Sequence, residues 1–73
     1  MMKIHLLDHR SEIFQTFSDT NQLFNFLSRQ TRFQKGKTLV VRNENRVRIL
    51  DLGDESANEI NKLVVQLANE IKA

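Results

Sequence analysis

The chain contains no Cys, no Pro, no Trp and no Tyr, and only two Gly among its 73 residues. Without Cys there is no disulfide to brace a small core, no thiol nucleophile and no Cys-based zinc site, a usage that fits a reducing compartment. Without Pro, and with Gly only at positions 36 and 53, no stretch reads as a flexible linker or a low-complexity segment. Without Trp or Tyr, the stacking platforms of single-strand nucleic-acid binders would have to come from Phe. No run approaches the roughly 20 apolar residues that span a bilayer. The opening "MMKIHLLDHR" is broken by His5 and Asp8 and lacks the apolar stretch of a signal peptide. The expectation is a single cytoplasmic domain over residues 1–73 that does not enter a membrane.

Catalytic signatures are scarce as well. His5 and His9 are the only histidines, and their spacing suits no ligand pattern that gathers three or four donors. Ser11 and Ser28 have no base and orienting acid placed by sequence, while Ser18 and Ser56 are explained as helix caps. "KGK" is too short for a phosphate loop. A chain this small also struggles to fill its own core and line a cavity of several hundred cubic ångströms. The reading is of a protein that is not an enzyme and carries no cofactor and no metal.

What is present patterns well. "MKIHLLD" alternates at period two, with Met2, Ile4 and Leu6 on one face. "DHRS" has turn composition, and "EIFQTF" returns as a second strand. A turn over Asp8 to Ser11 predicts Leu6 opposite Ile13, Ile4 opposite Gln15 and Met2 opposite Phe17. The period then changes. Ser18 or Asp19 caps a helix, with Gln22 three residues beyond Asp19, and Leu23, Phe24 and Leu27 form its apolar stripe with Phe26 beside it. The helix should fade from Arg29 to Phe33. "RFQKGK" reads as a connecting loop in which Gly36 supplies a positive φ.

"KTLVVR" and "RVRILDL" are two further strands around "NEN". Since Asn-Gly is missing, a connection longer than two residues is expected. "GDESANEINKLVVQLANEIKA" is the clearest element. Ser56 and Glu59 form a capping box, and Asp54, Glu55 and Glu59 sit where the helix dipole favours negative charge. Ile60, Leu63, Val64, Leu67 and Ile71 fall on one stripe, and Lys72 lies near the end favoured by cations. The expected fold is α+β: a two-layer ββαββα sandwich, an antiparallel sheet with two helices on one face, reading as one ββα unit used twice.

Charge is uneven. Net charge is +2, yet residues 29–48 hold seven Lys or Arg against Glu44 alone, a local +6. Residues 1–28 carry two bases against three acids, and residues 49–73 two against five. Alternation with Leu39, Val41, Val47 and Ile49 on one face would gather Arg42, Arg46 and Arg48 on the other. Guanidinium forks match phosphate and carboxylate geometry. The candidate partner-binding residues are therefore Arg29, Arg32, Phe33, Lys35, Lys37, Arg42, Arg46 and Arg48. They would act as phosphate contacts for nucleic acid, with Phe33 as a stacking side chain. The alternative is a protein-interaction module, an inhibitor, antitoxin-like protein or adaptor, that meets an acidic protein surface or adds a strand. The plainest alternative is a wet sheet face whose arginines are balanced by Asp51, Asp54, Glu55 and Glu59.

Two consequences separate these readings. Nucleic-acid binding predicts a continuous positive stripe with the acidic helix far away. Protein binding predicts arginines interleaved with exposed apolar side chains such as Leu50 or Phe33. A domain of this length buries only roughly 60% of the surface its unfolded chain exposes, so a homodimer is also expected. The flank of Val65 with Ala57 and Ala68, or an open sheet edge, would serve it.

Overall fold

A computed structural model describes residues 2–8, 10, 12–29 and 35–71. Six elements follow one another: β1 (Met2–Leu7), β2 (Ile13–Phe17), α1 (Thr20–Ser28), β3 (Thr38–Asn43), β4 (Arg46–Asp51) and α2 (Ala57–Ile71). The strands form one antiparallel sheet in the order β2-β1-β3-β4. The two hairpins thus lie on either side of a central β1–β3 pair, the placement a unit used twice would adopt. The α+β class read from the sequence is the one observed.

Both helices cover one face of this sheet. Ile4 and Leu6 of β1, Phe17 of β2 and Leu39 and Val41 of β3 form a single buried cluster with Leu23 and Leu27 of α1 and Ile60, Val64 and Ile71 of α2. The helices are held by their caps as the sequence implies. In α2 the Glu59 amide donates to Ser56 Oγ at 3.2 Å and the Ser56 amide donates to Glu59 Oε1 at 3.3 Å, a reciprocal capping box. In α1 Asp19 is the N-cap and accepts from the Gln22 amide at 2.8 Å. The Gln22 side chain reaches one residue further back, accepting from the Ser18 amide at 2.9 Å.

Two sequence expectations about register give way. Ile4 pairs with Phe17 and Leu6 with Gln15, not with Gln15 and Ile13. The Asp8 carboxylate accepts from the Arg10 and Glu12 amides at 2.8 and 3.1 Å, so the turn extends through Glu12. The register then shifts between Leu6 and Leu7, which leaves Phe14 as the extra residue of a bulge. This sets the large Phe17 ring opposite Ile4 in the core and leaves Ile13 exposed.

The second hairpin departs further. Asn43 pairs with Arg46, so the connection is the two residues Glu44 and Asn45. Glu44 takes φ of +57°, the left-handed geometry a tight hairpin demands at that position and for which Gly or Asn is the usual choice. Gly36, with φ of +87°, supplies the other left-handed position as expected. The Gly36 amide donates to the Leu52 carbonyl at 3.1 Å, and the Leu52 amide to the Lys37 carbonyl at 2.8 Å, which extends the β3–β4 ladder past Asp51.

Candidate functional site: the open face of the sheet

The shorter turn decides where the arginines go. Val41 lies opposite Arg48, and Arg42 opposite Val47. Facing residues on paired strands share a face. Arg46, Arg48 and Leu50 therefore point to the helix side, and Arg42 points to the other. The expected row of three guanidiniums on one face does not form, because a two-residue connection reverses the parity that a three-residue one would have given.

On the helix side Arg48 meets an acid that the sequence reading did not single out. Its Nε lies 3.8 Å from Glu70 Oε2 on α2, with both side chains half exposed. Its Nη1 also donates to the Val47 carbonyl at 3.0 Å. Three of the four acids expected to balance the arginines are engaged elsewhere. Asp51 accepts from Thr38 Oγ1 at 3.1 Å, Glu55 from the Gly53 amide at 2.7 Å, and Glu59 completes the α2 cap. α2 returns so that its C-terminal end meets the start of β4, where Asn43 Nδ2 donates to the Ile71 carbonyl at 3.3 Å. Only residues near position 70 can reach Arg48, a placement that charge spacing along the chain does not reveal.

The other basic candidates are dispersed. Lys37 lies at the far end of β3 from Arg42, five residues or about 17 Å of strand away. Its Nζ sits 5.3 Å from the Phe14 ring centroid, a cation–π contact on the helix side. Arg29 is the exposed C-cap of α1, and Lys35 is exposed next to Gly36. Arg32 and Phe33 lie outside the described residues, as do His9, Ser11 and Lys72.

The face that carries no helix has its own composition. Register and alternation set twelve positions, less one, in three rows across the sheet: Lys3, Arg42 and Val47; then Thr16, His5, Val40 and Ile49; then Ile13, Leu7, Thr38 and Asp51. Ile49 is 64% exposed, Ile13 62% and Val47 44%. Val40 and Leu7 are half-buried. Neither Lys3 nor Arg42 has an ion-pair partner among the described residues. At the centre His5 Nδ1 is hydrogen-bonded with Thr16 Oγ1 at 2.9 Å. Burial, and then the positive charges of Arg42 and Lys3, hold His5 below its ordinary pKa of 6.5.

Elsewhere an open depression of about 310 Å³ lies at the tip of the second hairpin, lined by Asn43, Glu44, Asn45, Arg46 and Ile71. It offers amides and one guanidinium, with no hydroxyl, imidazole or carboxylate pair. Among the described residues no group of three or more His, Asp or Glu converges as metal ligands do. No helix among them is long and apolar enough to cross a membrane.

Sequence reasoning named Arg42 but missed the side chains around it. The signal was available: Ile49, Val47 and Val40 alternate with Arg48 and Val41, and a two-residue turn would have placed them correctly. No protein-family model, no curated protein and no solved structure matches the chain.

Proposed function

We propose that this protein is a small, non-enzymatic interaction module that docks the open face of its sheet onto another protein surface. The carrying observation is the combination on that face of exposed Ile13, Val47 and Ile49 with Lys3 and Arg42, cations that have no ion-pair partner among the described residues. Apolar side chains clustered on one sheet face, when nothing in the chain covers them, are the mark of a surface used in association. The cations at one end orient that association by selecting a partner whose apolar patch is bordered by carboxylates. Arginine interleaved with exposed valine and isoleucine is also the pattern that separates protein binding from phosphate gripping.

A second reading is favoured by one observation, that Lys3 and Arg42 have no ion-pair partner among the described residues and so could meet phosphates. It has fewer cations than the sequence promised, since Arg46 and Arg48 face away and Lys37 lies at the other end.

The test is photocrosslinking in cells from a reactive residue at Ile49, compared with one at Asn58 on α2. The docking reading expects protein adducts from Ile49 alone, reduced by Arg42→Glu and insensitive to nuclease. Nuclease-sensitive adducts from Ile49 that fade with added salt would establish the second reading in its place. Adducts from Asn58 and none from Ile49 would overturn both.

A further inference from the structure

We infer that the occupant of the open face is a second copy of this chain, turned end for end about a two-fold axis that lies between the sheets and runs across the strands. This rests on the reading of that face as a protein-docking surface and names its partner.

Sheets that pack face to face keep their strands roughly aligned, and two identical faces meet most simply through a two-fold axis. Two such axes are available. One runs along the strands and exchanges β1 with β3. It would lay Lys3 of each copy against Arg42 of the other and bury two like-charge contacts, since Lys3 and Arg42 share a row. The other runs across the strands and exchanges the first row with the third. It lays Arg42 over the end that carries Thr38 and Asp51, which are themselves hydrogen-bonded at 3.1 Å. It also sets Val40 and Ile49 of the middle row against their own copies on the axis. Charge therefore selects one arrangement of the two.

His5 falls on the same axis. Burial, with Arg42 and Lys3 nearby, keeps it neutral at neutral pH, so two imidazoles meet there without repulsion.

The flank of Val65 on α2 is a weaker surface for self-association. Val65 is 38% exposed, but the helix positions around it are Asn61, Lys62, Ala68 and Asn69. It offers no apolar neighbour of size.

The contact is small. Four strands spaced ~4.8 Å apart and six residues long give a footprint of about 400 Å². Stable complexes commonly bury ~800 Å² per partner. The dimer is therefore expected to be of micromolar affinity or weaker and to dissociate on dilution.

Sedimentation of the full chain from low micromolar to near-millimolar protein provides the first readout. A concentration-dependent monomer–dimer equilibrium is expected. Arg42→Asp should weaken it at least about tenfold, because it puts like charges face to face. Adding Asp51→Arg to the same chain should restore it, a recovery that a merely damaged fold would not show. In a second measurement, Ile49→Cys should be joined across the axis by a short bis-maleimide, while Val65→Cys should not, in a chain that has no other thiol. A monomer at the highest concentration, or a dimer indifferent to the charge exchange, would overturn the inference. If the monomer still gave Ile49 adducts with a different protein in cells, the docking reading would stand with another occupant.

Discussion

Ile4 and Ile49 are the same residue type on strands of one sheet, yet Ile4 is fully buried and Ile49 is 64% exposed. Val41 and Val40 are consecutive, and the first is buried among α1 and α2 while the second faces away from both. The two faces of this sheet draw on similar side chains and differ in what covers them. The helix face is explained from within the chain by packing. The open face carries exposed Ile13, Val47 and Ile49 together with Lys3 and Arg42, which have no ion-pair partner among the described residues. That contrast is the ground on which the open face is proposed as the docking surface.

The contrast can be broken most forcefully from the buried side. Leu23→Ala or Ile4→Ala should lower unfolding free energy by about 2–5 kcal/mol, measured in urea. Ile49→Thr on the open face should change monomer stability by less than ~0.5 kcal/mol. Equal costs at Ile4 and Ile49 would erase the distinction between the faces. Next in size are the caps. Ser56→Ala should cost about 1 kcal/mol, with reduced amide protection confined to the first turn of α2 in hydrogen exchange. Glu59→Gln should keep most of that stability, because an amide oxygen can accept from the Ser56 amide as the carboxylate does.

A smaller effect reads the open face through its titration. Its surroundings lower the pKa of His5, so between 6.5 and that lowered value the unfolded chain binds more protons than the folded one. The stability contribution is complete above pH 6.5 and is lost as pH falls toward the folded value. His5→Gln should flatten that part of the curve of stability against pH; an unchanged curve would show that another group titrates there. The smallest effect belongs to the helix side. A double-mutant cycle on Arg48 and Glu70, half exposed and 3.8 Å apart, should return a coupling below ~0.5 kcal/mol that shrinks with salt.

Much of the architecture was legible. The capping boxes at Asp19 and Ser56 and the stripe through Ile60, Val64 and Ile71 are local patterns, set by residues three or four apart. They needed no knowledge of tertiary structure. The faces of the second hairpin were not legible, because they depend on the length of one turn. Glu44 is an uncommon residue for a left-handed position, so the sequence favours a longer connection, and one residue more or less sends every side chain of a strand to the opposite face. The β2 register failed for a related reason: the bulge at Phe14 has no Gly to announce it. Glu70 was hidden because only the packing of α2 brings it back to Arg48.

The strand order carries a consequence for the speed of folding. Partners within each hairpin are at most 13 residues apart, whereas β1–β3 partners such as Lys3 and Arg42 are 39 apart. Each ββα half can gather its contacts locally, but the central ladder must wait for a long loop to close before it gains anything. Closing that seam should be the rate-limiting event. Ser56→Ala, in a cap made before the seam closes, should slow refolding and leave unfolding nearly unchanged, while Val41→Ala, in the seam itself, should divide its effect between the two rates. A φ near zero at Ser56 would show that the halves do not form before the seam. In kinetic terms the protein is then two quick pieces joined by one slow step, and the ordered middle of its sheet is the last part to come into being.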